Sequence, residues 1–582
     1  MGCRQSTLQM QLGILALRFP RLALARRELA ALWPQWLEGW DADLPAGQDG
    51  GSAQQLAISV GDLVVAVQLE AGIALDRRVS VQPVTSVQGS GPVQFELFLP
   101  SHAVQADLIA IRWAIDALAA LLHGDPLEQV LASVAEVRQA LKPFAEQGVN
   151  NFPILRAAYA LGIPVFRPQS LLVLGMGQHS RWLQSLMSDL TPGLSMQVAQ
   201  NKLVTASLLH SAGLPGAVHR LVRDRDQALE AAAALGYPVV VKPADADRGE
   251  GVAADLRDPE AVVLAFDVAH KVSPMVLVER WVPGNTHRLT VQDGEVLRVV
   301  KRTAGGVVGD GVHSVARLVE LYQQTPRQQR MAHRLGHAPL ALDEEALVLL
   351  QREGLTPEHC PAEGQYVRLR RRDNVNAGGS NQELSPDDPT VVHPDNRRLA
   401  IETARLLRLD FAGIDLITTD ISRSWLEGGA LICEVNARPQ MGASHDTGVY
   451  QRLLARMFPH GFRIPAELVV VPSDEGLQAA VRDRLLSTRP DVSVSSVQGL
   501  WIEGIRVTRP WANSFEAALG LLQRREVGRV ICLMTPADIH RFGLPMSGWD
   551  RVLVAERQAF TPQEQGLMQS VRHWLAAAVL TP

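Results

Sequence analysis

Cysteine is scarce. Only Cys3, Cys360, Cys433 and Cys532 occur in 582 residues, far apart and without CxxC spacing. That pattern argues against a disulfide framework or a cysteine zinc site and fits a reducing compartment. Long apolar runs are missing as well. No stretch approaches the roughly 18 residues of a membrane span, and the apolar run 12–17 is too short for a secretory signal. Charge of one sign is never massed: 56 basic against 61 acidic side chains leave a formal net charge of −5, with no long basic block. The expected partners therefore include no nucleic acid and no membrane, and the expected location is cytoplasmic. The opening Met1-Gly2-Cys3-Arg4-Gln5-Ser6 fits the loose myristoylation pattern, which is short enough to arise by chance. A GxGxxG fingerprint and an obvious nucleophile triad are also absent.

What is present is ordinary for a globular protein: 47% hydrophobic and 20% charged residues. The length exceeds one core, so three or four domains are expected. Residues 1–160 read as a small α+β domain. Residues 54–67 and 93–99 alternate like strands, 106–123 has helical spacing, and 47–52 is a polar loop. Residues 310–372 read as an insertion with a helix over 314–324 and little obvious core.

Chemistry concentrates near residues 411–440. Two apolar strands, 413–417 and 430–435, flank a polar turn. Alternation puts Glu434 and Asn436 on one face, and a paired neighbour can bring Asp415 beside them. Two carboxylates and an amide oxygen suit magnesium held against phosphates. The alternative is a surface hairpin with scattered acids. Upstream, Lys202 opens a helix over 200–212. Lys242 ends the strand of PVVVKPADADRGEGV, where Asp245, Asp247, Gly249 and Gly251 form a turn. A lysine at a strand end beside glycines can reach phosphate oxygens; an exposed loop looks the same. The strand 275–282 carries Glu279, Arg280 and Val282, and its edge can face an adenine ring. Arg288, Lys301 and Arg302 follow on the next strands, as phosphate ligands or as surface ion pairs. DNVNAGGSN, with Asn374, Gly378 and Gly379, is a substrate cradle or a turn. Gly175 and Gly177 form a further glycine turn. A helix over 393–407 leads into the acidic hairpin.

Together these residues resemble the ATP-grasp carboxylate–amine ligases, and within them the ATP-grasp half of the cyanophycin synthetase family. The wording is close over NNFPILRAAYALGIPV, VVVKPADADRGEGV, VLVERWVPGNTHRLTV, KRTAGGVVGDG, NVNAGGS, HPDNRRLAIETARLLRLDFAGIDLITTDIS and EVNARP. The resemblance implies an α+β fold with two lobes enclosing ATP, over residues 161–460. It implies that Lys202 and Lys242 hold the α- and β-phosphates under the 245–251 loop. Adenine would lie on the 279–282 edge, and Asp415, Glu434 and Asn436 would bind one or two magnesium ions. Arg302 and Arg438 would stabilise the transferred phosphoryl group or anchor a carboxylate, with Arg288, Lys301, Asn374, Gly378 and Gly379 on the substrate side. The implied reaction joins an amino acid, peptide or amino-acid polymer to an amine through an acyl phosphate, in a homodimer or homotetramer.

The chain departs from that pattern where substrate specificity is set. Thr286 stands where an acid near the ribose is usual, Ala304-Gly305-Gly306-Val307 replaces PAHV, and Arg438-Pro439-Gln440 follows EVNA. In the family a Mur-ligase-like half with a P-loop follows. Here MFPHGFRIP matches the junction, but Pro472-Ser473-Asp474-Glu475-Gly476-Leu477-Gln478 lacks the lysine and the Ser/Thr of a P-loop. Met534 stands at a metal-binding glutamate position. Residues 461–582 are therefore expected to be a shortened, inactive α/β remnant. The competing reading of the whole chain is a non-catalytic ATP- or polymer-binding subunit that partners a full-length cyanophycin-type synthetase.

Overall fold

The computed structural model describes residues 4–12, 49–76, 79–83, 93–244, 251–371, 373, 378–441, 448–546 and 548–579. Internal contacts divide the chain into two compact units, Leu186–Met441 and the pair Met1–Ser185 with Gly442–Pro582.

In the unit Leu186–Met441, the first lobe is a four-stranded antiparallel sheet. Its strand order is Ala253–Leu256, Val239–Pro243, Val276–Arg280, His219–Val222. Helices Arg225–Leu235 and Pro259–Val272 pack on it, each capped by an aspartate, Asp224 or Asp258. Alternate valines of the strands, Val239, Val241, Val276 and Val278, meet the helical alanines in one core.

The second lobe is a five-stranded sheet, ordered Ser380–Leu384, Glu295–Thr303, Asn285–Gln292, Phe411–Thr418, Leu431–Asn436, all antiparallel. Helix Pro394–Leu406 covers one face, where Leu289, Val299, Ile414, Leu416, Ile432 and Val435 are buried. The other face is therefore free for polar side chains. The region expected to have little core has its own. Helices Val315–Gln323 and Glu344–Arg352 pack with the hairpin Gly306–Val308/Tyr366–Arg368 around Val307, Val315, Leu340, Leu350 and Val367. Its apolar residues are spread over sixty positions, so no local window shows them as a core.

The other unit contains a three-stranded sheet, Arg4–Leu12, Val93–Ser101, Ser80–Pro83, and helices Asp49–Glu70, Val104–His123 and Leu127–Leu141. Residues 54–67 are helical, not the expected strand, and the helix begins at Asp49, inside the expected loop. Its buried residues include Ala57, Val60, Leu63, Val64, Ala66 and Val67. A helix packed on several sides loses the single apolar stripe, and its β-branched residues then mimic a strand pattern. The same unit holds a six-stranded sheet ordered Ile505–Arg506, Gly499–Ile502, Ser493–Ser496, Val530–Met534, Ala466–Val470, Arg551–Val554. Its last four strands are parallel. Phe98 meets Trp574 edge to face, with ring centroids 4.3 Å apart, and ties the two sheets of this unit together. The glycine turn at Gly175 and Gly177 is a packing device here. A Cβ on Gly177 would lie 2.3 Å from Ile464 Cδ1, and Gln178 N–H donates to the Val527 carbonyl. No helix among the described residues is long and apolar enough to cross a membrane.

Candidate active site

The open face of the five-stranded sheet gathers the charge. Register places Asp415 directly opposite Glu434, Arg288 opposite Asp415, and Arg302 opposite Thr286. A one-residue irregularity makes this possible. Leu416 pairs with Ile432 and Asp415 with Glu434, so Cys433 is an extra residue in its strand. In a regular strand that kept Cys433 paired, Ile432 and Glu434 would share a face. With Cys433 as the extra residue, Ile432 stays in the core while Glu434 turns to the site.

Asp415 is 3% exposed, and its carboxylate accepts from Arg288 Nε and, at 2.6 Å, from Arg288 NH2. Arg302 NH1 reaches the same carboxylate at 3.4 Å. Burial opposes the Arg288 charge, but Asp415 outweighs it and raises the guanidinium pKa. Gly413 makes room for this pair: a Cβ there would lie 3.0 Å from Arg288 Cδ. Burial pushes the Cys433 thiol well up, and it donates to the Asp415 carbonyl at 3.4 Å. It is a neutral filler, not a nucleophile. Asn436 pairs with Gly413, two steps from Asp415, and its Nδ2 is buried without a partner.

On the first lobe, Lys242 Nζ lies 2.5 Å from Glu279 Oε1, with both side chains nearly buried. Burial works to lower the Lys242 pKa, yet Glu279 holds it above the usual value, and Glu434 adds to this at longer range. The two lobes thus share one electrostatic site. His219 Nδ1 is 3.6 Å from the same Glu279 oxygen. Burial lowers the His219 pKa, so Lys242 is the counter-ion of Glu279.

The structure places the remaining sequence candidates as follows. Lys202 is the first residue of helix Lys202–Ser211, capped by Asn201. Gly251 adopts φ +68, and a Cβ there would come within 2.9 Å of the Pro243 ring. Gly249 and Asn374 lie outside the described residues. The strand carrying Glu279 ends at Arg280, whose N–H donates to the Val218 carbonyl, so Val282 sits beyond it. Glu279 turns its side chain to Lys242, and only backbone is left for an adenine edge. Arg438 is exposed just past the acidic strand. Gly378 adopts φ +79 over Leu340, and Tyr322 Oη donates to its carbonyl at 3.1 Å; Gly379 follows it. Lys301 does not join the cluster. It pairs with His287, on the face covered by the helix. There burial, then Lys301, lowers the His287 pKa to about 4.

Sequence reading missed Asp373. Its carboxylate accepts from Thr286 Oγ1 at 2.7 Å and lies 3.8 Å from Arg368. Thr286 and Asp373 are 87 positions apart, and no local pattern links them.

The donor set suits a hard cation. Asp415, Glu434 and Asn436 offer carboxylate and amide oxygens on one face, and each carboxylate oxygen has a second lone pair beyond any arginine it accepts. Asn436 can add its Oδ1; its unpartnered Nδ2 is a donor and would not touch the ion. These residues therefore fit a magnesium ion.

Two lobes of this construction beside such a face make up an ATP-grasp fold. Residues 202–297 match the model of the carbamoyl-phosphate synthase L chain ATP-binding domain, and residues 366–453 match the RimK-like ATP-grasp domain. Among curated proteins, the chain is similar to cyanophycin synthetase. Identity to that of Nostoc sp. is 34% over 300 residues, 51% of this chain and 32% of the relative. With that of Geminocystis herdmanii it is 29% over 488 residues, 80% of this chain and 54% of the relative. It is also similar to the glutathione biosynthesis bifunctional protein GshAB of Streptococcus agalactiae, 30% identical over 273 residues, 44% of this chain and 35% of that one. The chain spans between a third and about half the length of these relatives.

Proposed function

We propose that this chain is an ATP-dependent carboxylate–amine ligase. The observation that carries the reading is the pairing of Asp415 with Glu434 on one sheet face, beside Arg288 and Arg302, within electrostatic reach of the buried Lys242. The similarity to cyanophycin synthetase and to a glutathione biosynthesis protein supports it.

In this reading Lys242 and Lys202 hold the nucleotide phosphates, with Gly249 and Gly251 in the covering loop. Backbone at Glu279, Arg280 and Val282 takes adenine. Asp415, Glu434 and Asn436 hold one or two magnesium ions, which when bound neutralise phosphate charge. Arg302 is the only arginine of the cluster not fully committed: its contact to Asp415 is long and its side chain is 29% exposed. It would stabilise the phosphoryl group passing to a substrate carboxylate, with Arg438, two residues past Asn436, as the second candidate. Arg288, locked on Asp415, orients that carboxylate. An amine then displaces phosphate from the acyl phosphate and forms the amide. Asp373, held by Thr286, and Gly378, held by Tyr322, would flank the substrate side with Asn374 and Gly379. The substrates are amino acids, peptides or an amino-acid polymer, and the enzyme acts in the cytoplasm as a homo-oligomer.

The proposed domains are 1–160, 161–460 and 461–582, the last an inactive α/β module. Asp474 caps helix Glu475–Thr488, and the Ser473 N–H donates to the Glu564 carboxylate at 2.7 Å. A side chain thus uses a donor that a P-loop would offer to phosphate, and Gln478 is buried on the Pro472 carbonyl.

The test is phosphate release from ATP against pairs of carboxylates and amines, with products read by mass spectrometry. Glu434→Gln should lower turnover at least about a hundredfold while thermal unfolding is unchanged. Release that survives this substitution would overturn the reading. Nucleotide binding without release for any pair would favour the binding-subunit reading.

A further inference from the structure

The parallel sheet of the C-terminal module carries a second concentration of charge, at the opposite end of its strands from Pro472–Gln478. A cleft of about 640 Å³ opens at the N-terminal ends of its strands. Arg463, Arg489, Arg529 and Arg551 line it, together with Glu467 and Asp550. The sheet assembles this group from distant sequence. Arg551 starts one parallel strand directly beside Glu467, and Arg529 immediately precedes the strand on the other side.

Both carboxylates are already committed. Glu467 accepts two bonds from Arg489, at 2.8 and 2.9 Å, and Asp550 accepts the Ala466 N–H at 2.6 Å. Arg463 donates to the Gly548 carbonyl. Arg529 has only an exposed contact at 3.3 Å to Asp491, the kind of pair that contributes little in water. Arg551 makes no ion pair or hydrogen bond among the described residues. Four guanidiniums line the cleft against two carboxylates, and with Asp491 beside Arg529 the cluster still keeps a net positive charge. That balance suits an anion.

We infer that this cleft binds a phosphate-type dianion, through Arg551 and Arg529 with Arg463 behind them. A phosphate monoester carries close to two negative charges at neutral pH and offers three acceptor oxygens, which match several forked donors. A carboxylate saturates one fork, as Glu467 already does with Arg489.

The probe is inorganic phosphate, titrated calorimetrically into the full-length protein at constant ionic strength, with succinate in parallel. Wild type should bind phosphate below about 10 mM and prefer it to succinate. Arg529→Gln with Arg551→Gln alters only exposed side chains. It should weaken phosphate at least about tenfold while leaving binding of a non-hydrolysable ATP analogue and thermal unfolding unchanged. Phosphate binding that persists in the double variant would belong to the ATP-grasp face and would overturn the assignment. So would equal affinity for succinate, or no phosphate binding in wild type.

Discussion

Single side chains define the candidate site by committing to one another. Asp415 takes Arg288 on both oxygens, and Glu279 takes Lys242, so each buried charge has a partner. Removing one member would strand the other in a medium that solvates it poorly. His287 shows what burial does when it outweighs the nearby acid, Asp420. Burial and Lys301 lower its pKa from 6.5 to about 4, so it is neutral in the folded protein at pH 7. Between those values the unfolded chain binds the extra proton, and stability is lost as pH falls from about 6.5 to about 4. Above 6.5 the contribution is fully present. Its ceiling is about 3 kcal/mol, by the worth of one pKa unit. Denaturant unfolding across this window should show that loss, and His287→Gln should flatten it. An unchanged slope would mean that His287 is solvated.

At the scale of elements, the strand Leu431–Asn436 carries the site through its bulge. Sequence reading placed Glu434 and Asn436 on one face by alternation, and brought Asp415 to them by pairing. Both features are present. It did not foresee that Ile432 and Val435, three apart, both enter the core, because alternation forbids that in a regular strand. Deleting Cys433 should turn the bulge into a regular strand in which Ile432 and Glu434, now adjacent, still face opposite sides. ATP-analogue binding should then be kept by the deletion as by Cys433→Ala; calorimetry of both variants decides. Loss of binding by the deletion alone would show that Cys433 is more than the extra residue of the strand. Lys301 and Arg302 teach the same lesson from the other side. Adjacent basic residues read as one cluster in sequence, yet a strand sends them to opposite faces.

At the scale of the whole molecule, two compact units carry different chemistry. Nucleotide on the ATP-grasp face should stabilise Leu186–Met441 and leave the other unit as it was. A hundredfold excess over the dissociation constant corresponds to about 2.7 kcal/mol. Hydrogen exchange should show the gain over Val239–Pro243 and Leu431–Asn436, with none over Ala466–Val470. Protection confined to the parallel sheet would place nucleotide in the wrong unit. Uniformly unchanged exchange would mean that the ATP-grasp face is not in use.

The sequence by itself determined the residue types and their local order: a lysine ending a valine strand, glycines after it, and acids flanking a hairpin. Those features depend on spacing, and spacing is legible in one dimension. It also showed that the tail lacks a phosphate-binding lysine. Only the tertiary structure decided which groups meet. The partnership of Thr286 with Asp373, the hidden core of the insertion, and the arginine cleft join positions separated by tens of residues. Such contacts depend on register and packing, and no local window contains both partners.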